Sequence, residues 1–239
     1  IGIAMGRNGT DVAKNAADMI LTDDDFSTIE KAMAEGRGIY VNIKKSILFL
    51  LSSNFGEMIT MFLAVLLGLP SPLKASHILW VNLITDSLPA LALGVDKNNT
   101  EILMKKKPRE PEEGLFAHGG WMFTVFAGLT LYAFHLGGQT YAFTVLGVSQ
   151  LFHAIGMRDR DCSVFRMNHL ENPLMILAFC LGLGLQIMVT EIPYFVSLFH
   201  TARLTFGEWK LLLCISAVPL LMHELLLIPR RIFGTRKNQ

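Results

Sequence analysis

The stretch SILFLLSSNFGEMITMFLAVLLGLP, residues 46 to 70, is apolar enough for the core of a bilayer, yet it carries Asn54 and Glu57 near its middle. A second such stretch, ILWVNLITDSLPALALG, follows at once with Asn82, Thr85 and Asp86 inside it. Apolar residues along this chain are bunched in runs of about 17 to 25, the length at which a helix crosses the hydrocarbon core. Six runs are counted: 44–68, 76–94, 119–136, 140–157, 173–190 and 210–228. An ionised side chain at the centre of a spanning helix costs about 2.5–3.5 kcal/mol on insertion scales. Acids held at that depth therefore point to an ion pathway or a binding site.

Composition agrees with a membrane protein that has a soluble start. Of 239 residues, 51% are hydrophobic and only 17% charged, against roughly a quarter charged in ordinary soluble domains. The expected partner is a lipid bilayer, and a net charge of +1 suggests no nucleic-acid partner. The first twenty residues lack the basic and apolar regions of a secretory signal. They open without Met inside a strand-like segment, so the chain is expected to be part of a longer polypeptide. Cys162, Cys180 and Cys214 form no CxxC pair and read as unpaired packed or lipid-facing thiols.

Residues 1–43 read as α/β. IGIAM is a short strand, GRNGT a turn, and Thr10 an N-cap for a helix through DVAKNAADM. MILT is a second strand, and Asp23, Asp24 and Asp25 form an acidic turn read as a solvated loop rather than a metal site. Ser27 and Glu30 have capping-box spacing for a helix that runs on into the first apolar run.

Basic residues set the expected orientation. With the soluble start in the cytoplasm, the inside segments hold Lys44, Lys45, Lys97, Lys105, Lys106, Lys107, Arg109, Arg158, Arg160, Arg166, Arg230, Arg231, Arg236 and Lys237. The outer loops keep Lys74, Arg203 and Lys210. Six spans then return the C-terminus to the cytoplasm, which gives a multi-pass protein of the cell membrane with both termini inside. Pro70 and Pro72 end the first span. Pro89, just after Asp86, removes a backbone hydrogen bond, and carbonyls freed at membrane depth must face protein or a wet cavity.

Asn54 and Glu57 are three residues apart on one helical face, and Asn82, Thr85 and Asp86 share a face at i, i+3 and i+4. The short connection makes the two helices antiparallel neighbours, so these faces can meet. Hydrogen bonds between helices would account for the amides and the hydroxyl but not for two acids at similar depth. Carboxylates, amides, a hydroxyl and freed carbonyls make an all-oxygen donor set, suited to a hard cation such as Ca²⁺ with its six to eight oxygen ligands. Gln150, in TVLGVSQLFHA, offers one more neutral oxygen or an interhelical hydrogen bond. His153 reads as a packed partner, Glu191 as a boundary residue, and Glu224 as a snorkelling group or a partner of Arg230 or Arg231.

SSNFGEMI followed by LWVNLITDSLPALALG resembles the fifth and sixth membrane helices of P-type cation ATPases, most closely Ca²⁺ pumps of the sarcoplasmic-reticulum type and their bacterial relatives. The similarity begins in the soluble start, extends through SQLFHA, and reaches the basic tail. It implies a mainly α fold: a six-helix transmembrane bundle over residues 44–239, equivalent to the fifth to tenth helices. Residues 1–43 would be the end of an α/β, HAD-like phosphorylation domain and its stalk. Asn54, Glu57, Asn82, Thr85 and Asp86 would occupy Ca²⁺-coordinating positions, with Asp86 shared wherever two sites exist. Gln150 stands where sarcoplasmic-type pumps carry Glu, so one Ca²⁺ per cycle is plausible. The short HLGGQ connection also departs from the family's longer outer loop.

The resemblance further implies that ATP and Mg²⁺ belong to the full-length protein. The phosphorylated Asp, the nucleotide and actuator domains and the first four membrane helices are expected upstream of Ile1, and the missing N-terminal part would be this chain's partner. The stalk would transmit the tilt of the phosphorylation domain to Asn54 and Glu57, releasing Ca²⁺ outward. The alternatives weighed are a pump for Mn²⁺ or another cation, a secondary transporter or channel, and a non-catalytic truncated fragment.

Overall fold

The computed structural model describes residues 1–98, 100–105, 122–159 and 162–234, with side chains omitted at 100–102 and 228–234. Lys106, Lys107, Arg109, Arg160, Arg236 and Lys237, the start of the third apolar run, and the side chains of Arg230 and Arg231 lie outside the described residues. The chain is mainly helical and divides into two compact units, one of Ile1–Val41 with the segment that follows Asp96, the other of the remainder.

In the first unit, β1 (Ile3–Met5), α1 (Asp11–Ala16) and β2 (Met19–Leu21) form a minimal β-α-β, with the strands parallel in the register Ile3↔Met19. Thr10 caps α1 as expected, its hydroxyl accepting the Ala13 N–H at 3.3 Å. At Gly9 the turn passes so close to the Met5 carbonyl that no Cβ fits. The acidic turn is solvent-accessible, as expected of a loop, and its carboxylates also organise the backbone around it. Asp24, at φ 58°, accepts the Arg7 and Asn8 N–H groups at 2.9 Å each and so fixes the β1–α1 turn. Asp25 accepts the Ser27 N–H at 2.8 Å and Asp23 the Thr28 hydroxyl at 2.6 Å. The first backbone N–H of the following helix therefore goes to Asp25, upstream of the Ser27–Glu30 pair, with Asp23 bracing the turn through the Thr28 hydroxyl. These hydrogen bonds hold all three carboxyls below their ordinary range: the Thr28 hydroxyl at Asp23, the Arg7 N–H at Asp24 and the Ser27 N–H at Asp25. Also in this unit, Arg37 donates to the Leu103 carbonyl of α5 (Thr100–Lys105) at 2.8 Å.

Helix α2 (Ser27–Leu66) contributes to both units; its 40 residues amount to about 60 Å of helix. The second apolar run is not one helix. It comprises α3 (Ala75–Trp80), a π-helical segment (Val81–Asp86) and α4 (Ser87–Gly94). Next come α6 (Met122–Gly137), α7 (Gln139–Met157), a 3-10 turn (His169–Glu171) and α8 (Pro173–Glu191). Then follow α9 (Pro193–Phe199), outside the six runs, and α10 (Phe206–Ser216) and α11 (Val218–Gly234). The last run is interrupted at Ala217, two residues before Pro219, which cannot donate to the preceding turn. Among the described residues, α2, α8 and the stretch Phe206–Leu227 are long and apolar enough to cross a membrane.

Among the described residues three apolar clusters build the core of the second unit; the one around Ala133, Val145, Leu204 and Leu212 lies apart from the site described below, and the other two frame it. One joins Leu48 and Phe49 of α2, Ala92 and Leu93 of α4, Ala154 and Met157 of α7, and Met175 and Ala178 of α8. The other includes Val81 of the π segment, Phe126 of α6, Phe143 and Leu146 of α7, and Val189 of α8. Beyond the first cluster lies a buried polar hub at Asp96. Its Oδ1 accepts from Arg158 Nη2 at 3.0 Å and Nε at 3.2 Å and from Asn172 Nδ2 at 2.9 Å. Lys45 Nζ stands 3.6 Å from Oδ2, and the Asp96 carbonyl accepts from Asn42 at 2.7 Å. Asn172 also caps α8 by accepting the Met175 N–H.

Removing one member of a buried ion pair typically costs about 3–5 kcal/mol, because the remaining charge stays desolvated. Asp96→Ala, which strands Arg158 and Lys45, is expected to lower stability on that scale, with Asp96→Asn in between. Thermal denaturation of the purified protein in detergent checks this; an unchanged midpoint for Asp96→Ala would show that the hub contributes no net stability.

Candidate cation site

Each of four elements passes from one apolar cluster to the other and carries polar side chains in the interval. On α2 the hydroxyls of Ser52 and Thr60 are satisfied by the helix itself, through the Leu48 and Gly56 carbonyls. Glu57 is not satisfied in that way. It is buried, and its Oε2 accepts Asn82 Nδ2 at 3.2 Å, so the two predicted polar faces do meet. Gly56 lets α6 approach closely, since a Cβ there would stand 2.8 Å from Phe126 Cβ. Asn54 shares the Glu57 face, but its amide turns back to the Leu50 carbonyl at 2.8 Å.

The π segment holds all three predicted residues of the second run. Pro89 has no N–H for the Thr85 carbonyl one turn earlier, and the helix widens over the turn before it. Thr85 Oγ1 donates to the Val81 carbonyl at 2.8 Å and Ser87 Oγ to the Asn82 carbonyl at 3.0 Å, so side chains satisfy part of the disturbed ladder. Isolated π turns of this kind occur frequently at functional sites. Thr85 also lies 3.5 Å from Gln150 Oε1 of α7, and both are fully shielded from solvent.

Asp86 is the most constrained group of the set. Its relative exposure is 0%, and neither carboxylate oxygen has a hydrogen-bonding partner among the described residues. Glu57 Oε1, Gln150 Nε2 and Ser53 Oγ are also without one. Glu57 is the charge that bears on Asp86, and Ser53, one turn before Glu57, is its polar neighbour. The large majority of buried polar side-chain atoms in native proteins are hydrogen-bonded; two adjacent carboxylates with spare oxygens call for a cation, a proton or ordered water. Among the described residues no three His, Cys, Asp or Glu side chains cluster. The donor set is two carboxylates with amide and hydroxyl oxygens, which suits a hard cation and not a soft one.

The other residues singled out in the sequence lie elsewhere. His153 packs against Phe49 and Phe126, with ring centroids at 6.0 and 5.3 Å. Glu224 accepts the Ser163 hydroxyl at 2.8 Å and the Val164 N–H at 2.6 Å, holding the loop after α7. Glu191 accepts from Trp209 Nε1 at 3.0 Å. Sequence reasoning missed Ser53, although its i−4 spacing from Glu57 was a usable signal. It also missed Gln186 of α8, which is fully buried with both amide atoms unpartnered among the described residues.

Residues 70–228 match a family described as "Cation transporting ATPase, C-terminus". The Calcium-transporting ATPase 1 of Bacillus cereus is 44% identical over 97% of this chain and 29% of its own length. The Calcium-transporting ATPase of Bacillus subtilis is 43% identical over 92% of this chain and 26% of its own. The Calcium-transporting ATPase 1 of Saccharomyces cerevisiae is 36% identical over 100% and 26% respectively. The chain thus spans between a quarter and a third of the length of these relatives.

The contact at Gly56 yields a packing test. Gly56→Ala forces α2 and α6 apart beside Glu57 and is expected to destabilise by about 1–3 kcal/mol, as overpacking does. Gly128, on α6 with open space where its Cβ would stand, serves as the control, and Gly128→Ala should be neutral or slightly stabilising. Thermal denaturation of the two variants side by side checks this, and equal midpoints would refute the close approach.

Proposed function

Because the chain belongs to the cation transporting ATPase C-terminal family, we propose that it is the C-terminal membrane part of an ATP-driven Ca²⁺ pump. In that reading residues 44–239 form a six-helix bundle in the cell membrane, equivalent to the fifth to tenth helices of a P-type ATPase. Residues 1–43 end its HAD-like phosphorylation domain, and both termini are cytoplasmic. ATP and Mg²⁺ act in the whole protein, in parts that this segment does not include. The relatives named calcium-transporting ATPases support Ca²⁺ as the cargo.

The observation that carries the reading is the pair of buried carboxylates, Glu57 and Asp86, with three of their four oxygens unpartnered among the described residues. A bound Ca²⁺ would remove the mutual repulsion of the two acids and satisfy those oxygens together. Asp86, the last residue of the π segment, is the central ligand. Asn54, Asn82, Thr85 and Gln150 add neutral oxygens once their amides or hydroxyls reorient from the contacts described above. A neutral Gln150 leaves the set with two negative charges, enough to balance one Ca²⁺ per cycle.

Asp86→Asn keeps the shape and removes the charge, and a neutral amide costs no more than a carboxylate in the membrane. In the full-length protein carrying this segment, the variant is expected to insert normally and to lose Ca²⁺-activated phosphorylation by ATP. Phosphoenzyme formed from inorganic phosphate, which requires no bound cargo, should remain. Retention of Ca²⁺-activated phosphorylation at unchanged Ca²⁺ affinity would overturn the site. The topology is tested independently: a reporter active only in the cytoplasm should be active when fused after Gln239. Activity of a reporter that works only outside the cell would refute the six-span arrangement.

A further inference from the structure

Gln186 of α8 has no role in the donor set assigned above, yet it occupies the same polar interval between the two apolar clusters. On α8, Met175 and Ala178 belong to one cluster and Val189 to the other, with Gln186 between them. Its exposure is 0%, and neither Oε1 nor Nε2 has a hydrogen-bonding partner among the described residues. It faces α7 at Gly147. A Cβ at that position would stand 3.3 Å from Gln186 Oε1 and 3.6 Å from Thr85 Cγ2, so the absence of a side chain at 147 brings the Gln186 amide beside Thr85. Gln150, three residues further along α7, places its Oε1 3.5 Å from the Thr85 hydroxyl and has an unpartnered Nε2.

A primary amide needs a donor at its oxygen and an acceptor at its nitrogen. A bare cation satisfies the first and repels the second, whereas water supplies both and is stable in a buried site with two to four polar partners. We propose that Gln186 is a positioning residue of the cation site: through ordered water it holds Gln150 and Thr85 in the orientation in which their oxygens meet the cargo. The proposal rests on the function proposed above, deepens it by extending the site to α8, and gives Gly147 a reason to be glycine.

The test uses the full-length protein, with Ca²⁺ as the probe. The Ca²⁺ concentration for half-maximal phosphorylation by ATP is measured for each variant, with signals normalised to the phosphoenzyme that it forms from inorganic phosphate. Gln186→Leu should raise this concentration by roughly tenfold, the change expected when buried hydrogen bonds are lost. Gly147→Ala, which crowds Gln186 Oε1, should shift it in the same direction by less, and it decides the matter if Gln186→Leu does not fold. In a double-mutant cycle, Gln186→Leu should add little to Gln150→Leu, because the first acts through the second.

Unchanged half-maximal Ca²⁺ in both the Gln186→Leu and Gly147→Ala proteins, or additive effects in the cycle, would overturn the proposal. So would a gain of bound Ca²⁺ per phosphoenzyme in Gln186→Glu, which would make the residue a direct ligand. Loss of Ca²⁺ activation in Asp86→Asn alongside normal Gln186 variants would sink this inference alone. An Asp86→Asn protein that keeps normal activation removes the function on which it rests.

Discussion

A carboxylate taken out of water must find its compensation inside the protein, and Asp86 and Asp96 meet that demand in opposite ways. Asp96 is fully engaged, by Arg158, Asn172 and Lys45 at its side chain and by Asn42 at its carbonyl. Asp86, ten residues earlier in the chain, is more deeply buried and has no protein partner among the described residues. Desolvating an ion costs several kcal/mol even after relaxation. A fold that spends cations on one acid and none on the other has separated a structural charge from one held ready for something the protein does not itself supply.

The backbone between the two acids makes that separation workable. Pro89 interrupts the hydrogen-bond ladder, the π segment takes up the disturbance, and Thr85 and Ser87 cover two of the affected carbonyls with their hydroxyls. Beyond Pro89, α4 is regular and apolar, and Ser46 of α2 donates to its Ala90 carbonyl at 2.9 Å. The irregular turn thus presents Asn82, Thr85 and Asp86 to α2 and α7, while the regular one anchors the run in the apolar cluster around Phe49 and Leu93.

Much of this was legible from residue chemistry and depth. The apolar runs, the polar faces at helical spacing, and the meeting of α2 with the second run all follow from periodicity and a short connection; the Glu57–Asn82 bond realises that meeting. The π segment was not legible, because a proline signals a disturbed ladder without saying whether the helix kinks, tightens or widens. Asp96 was not singled out, because its partners at positions 42, 45, 158 and 172 come together only through tertiary packing. Gln186 carries no charge to attract notice, and its meaning depends on a glycine on another helix. Asp25, rather than the Ser27–Glu30 pair, takes the helix N–H because a carboxylate accepts it more strongly than a neutral hydroxyl does.

The two polar centres also divide the labour between fixed and adjustable contacts. Asp96 and Asn172 tie α2, the end of α4, the end of α7 and the start of α8 together through charged and capping hydrogen bonds. Asp86 lies ten residues earlier, in a layer whose contacts are few and long: 3.2 Å between Asn82 and the Glu57 carboxyl, and 3.5 Å between Thr85 and Gln150. Asn54 holds only its own helix's Leu50 carbonyl. Contacts of this kind exchange at low cost, whereas the clamp does not. A ligand bound in the layer can therefore reorient amides and hydroxyls without unseating the helices that carry them. A ligand shifts an equilibrium only by its differential affinity for the two states. On the function proposed above, that difference would reside in the orientation of a few neutral side chains around two acids.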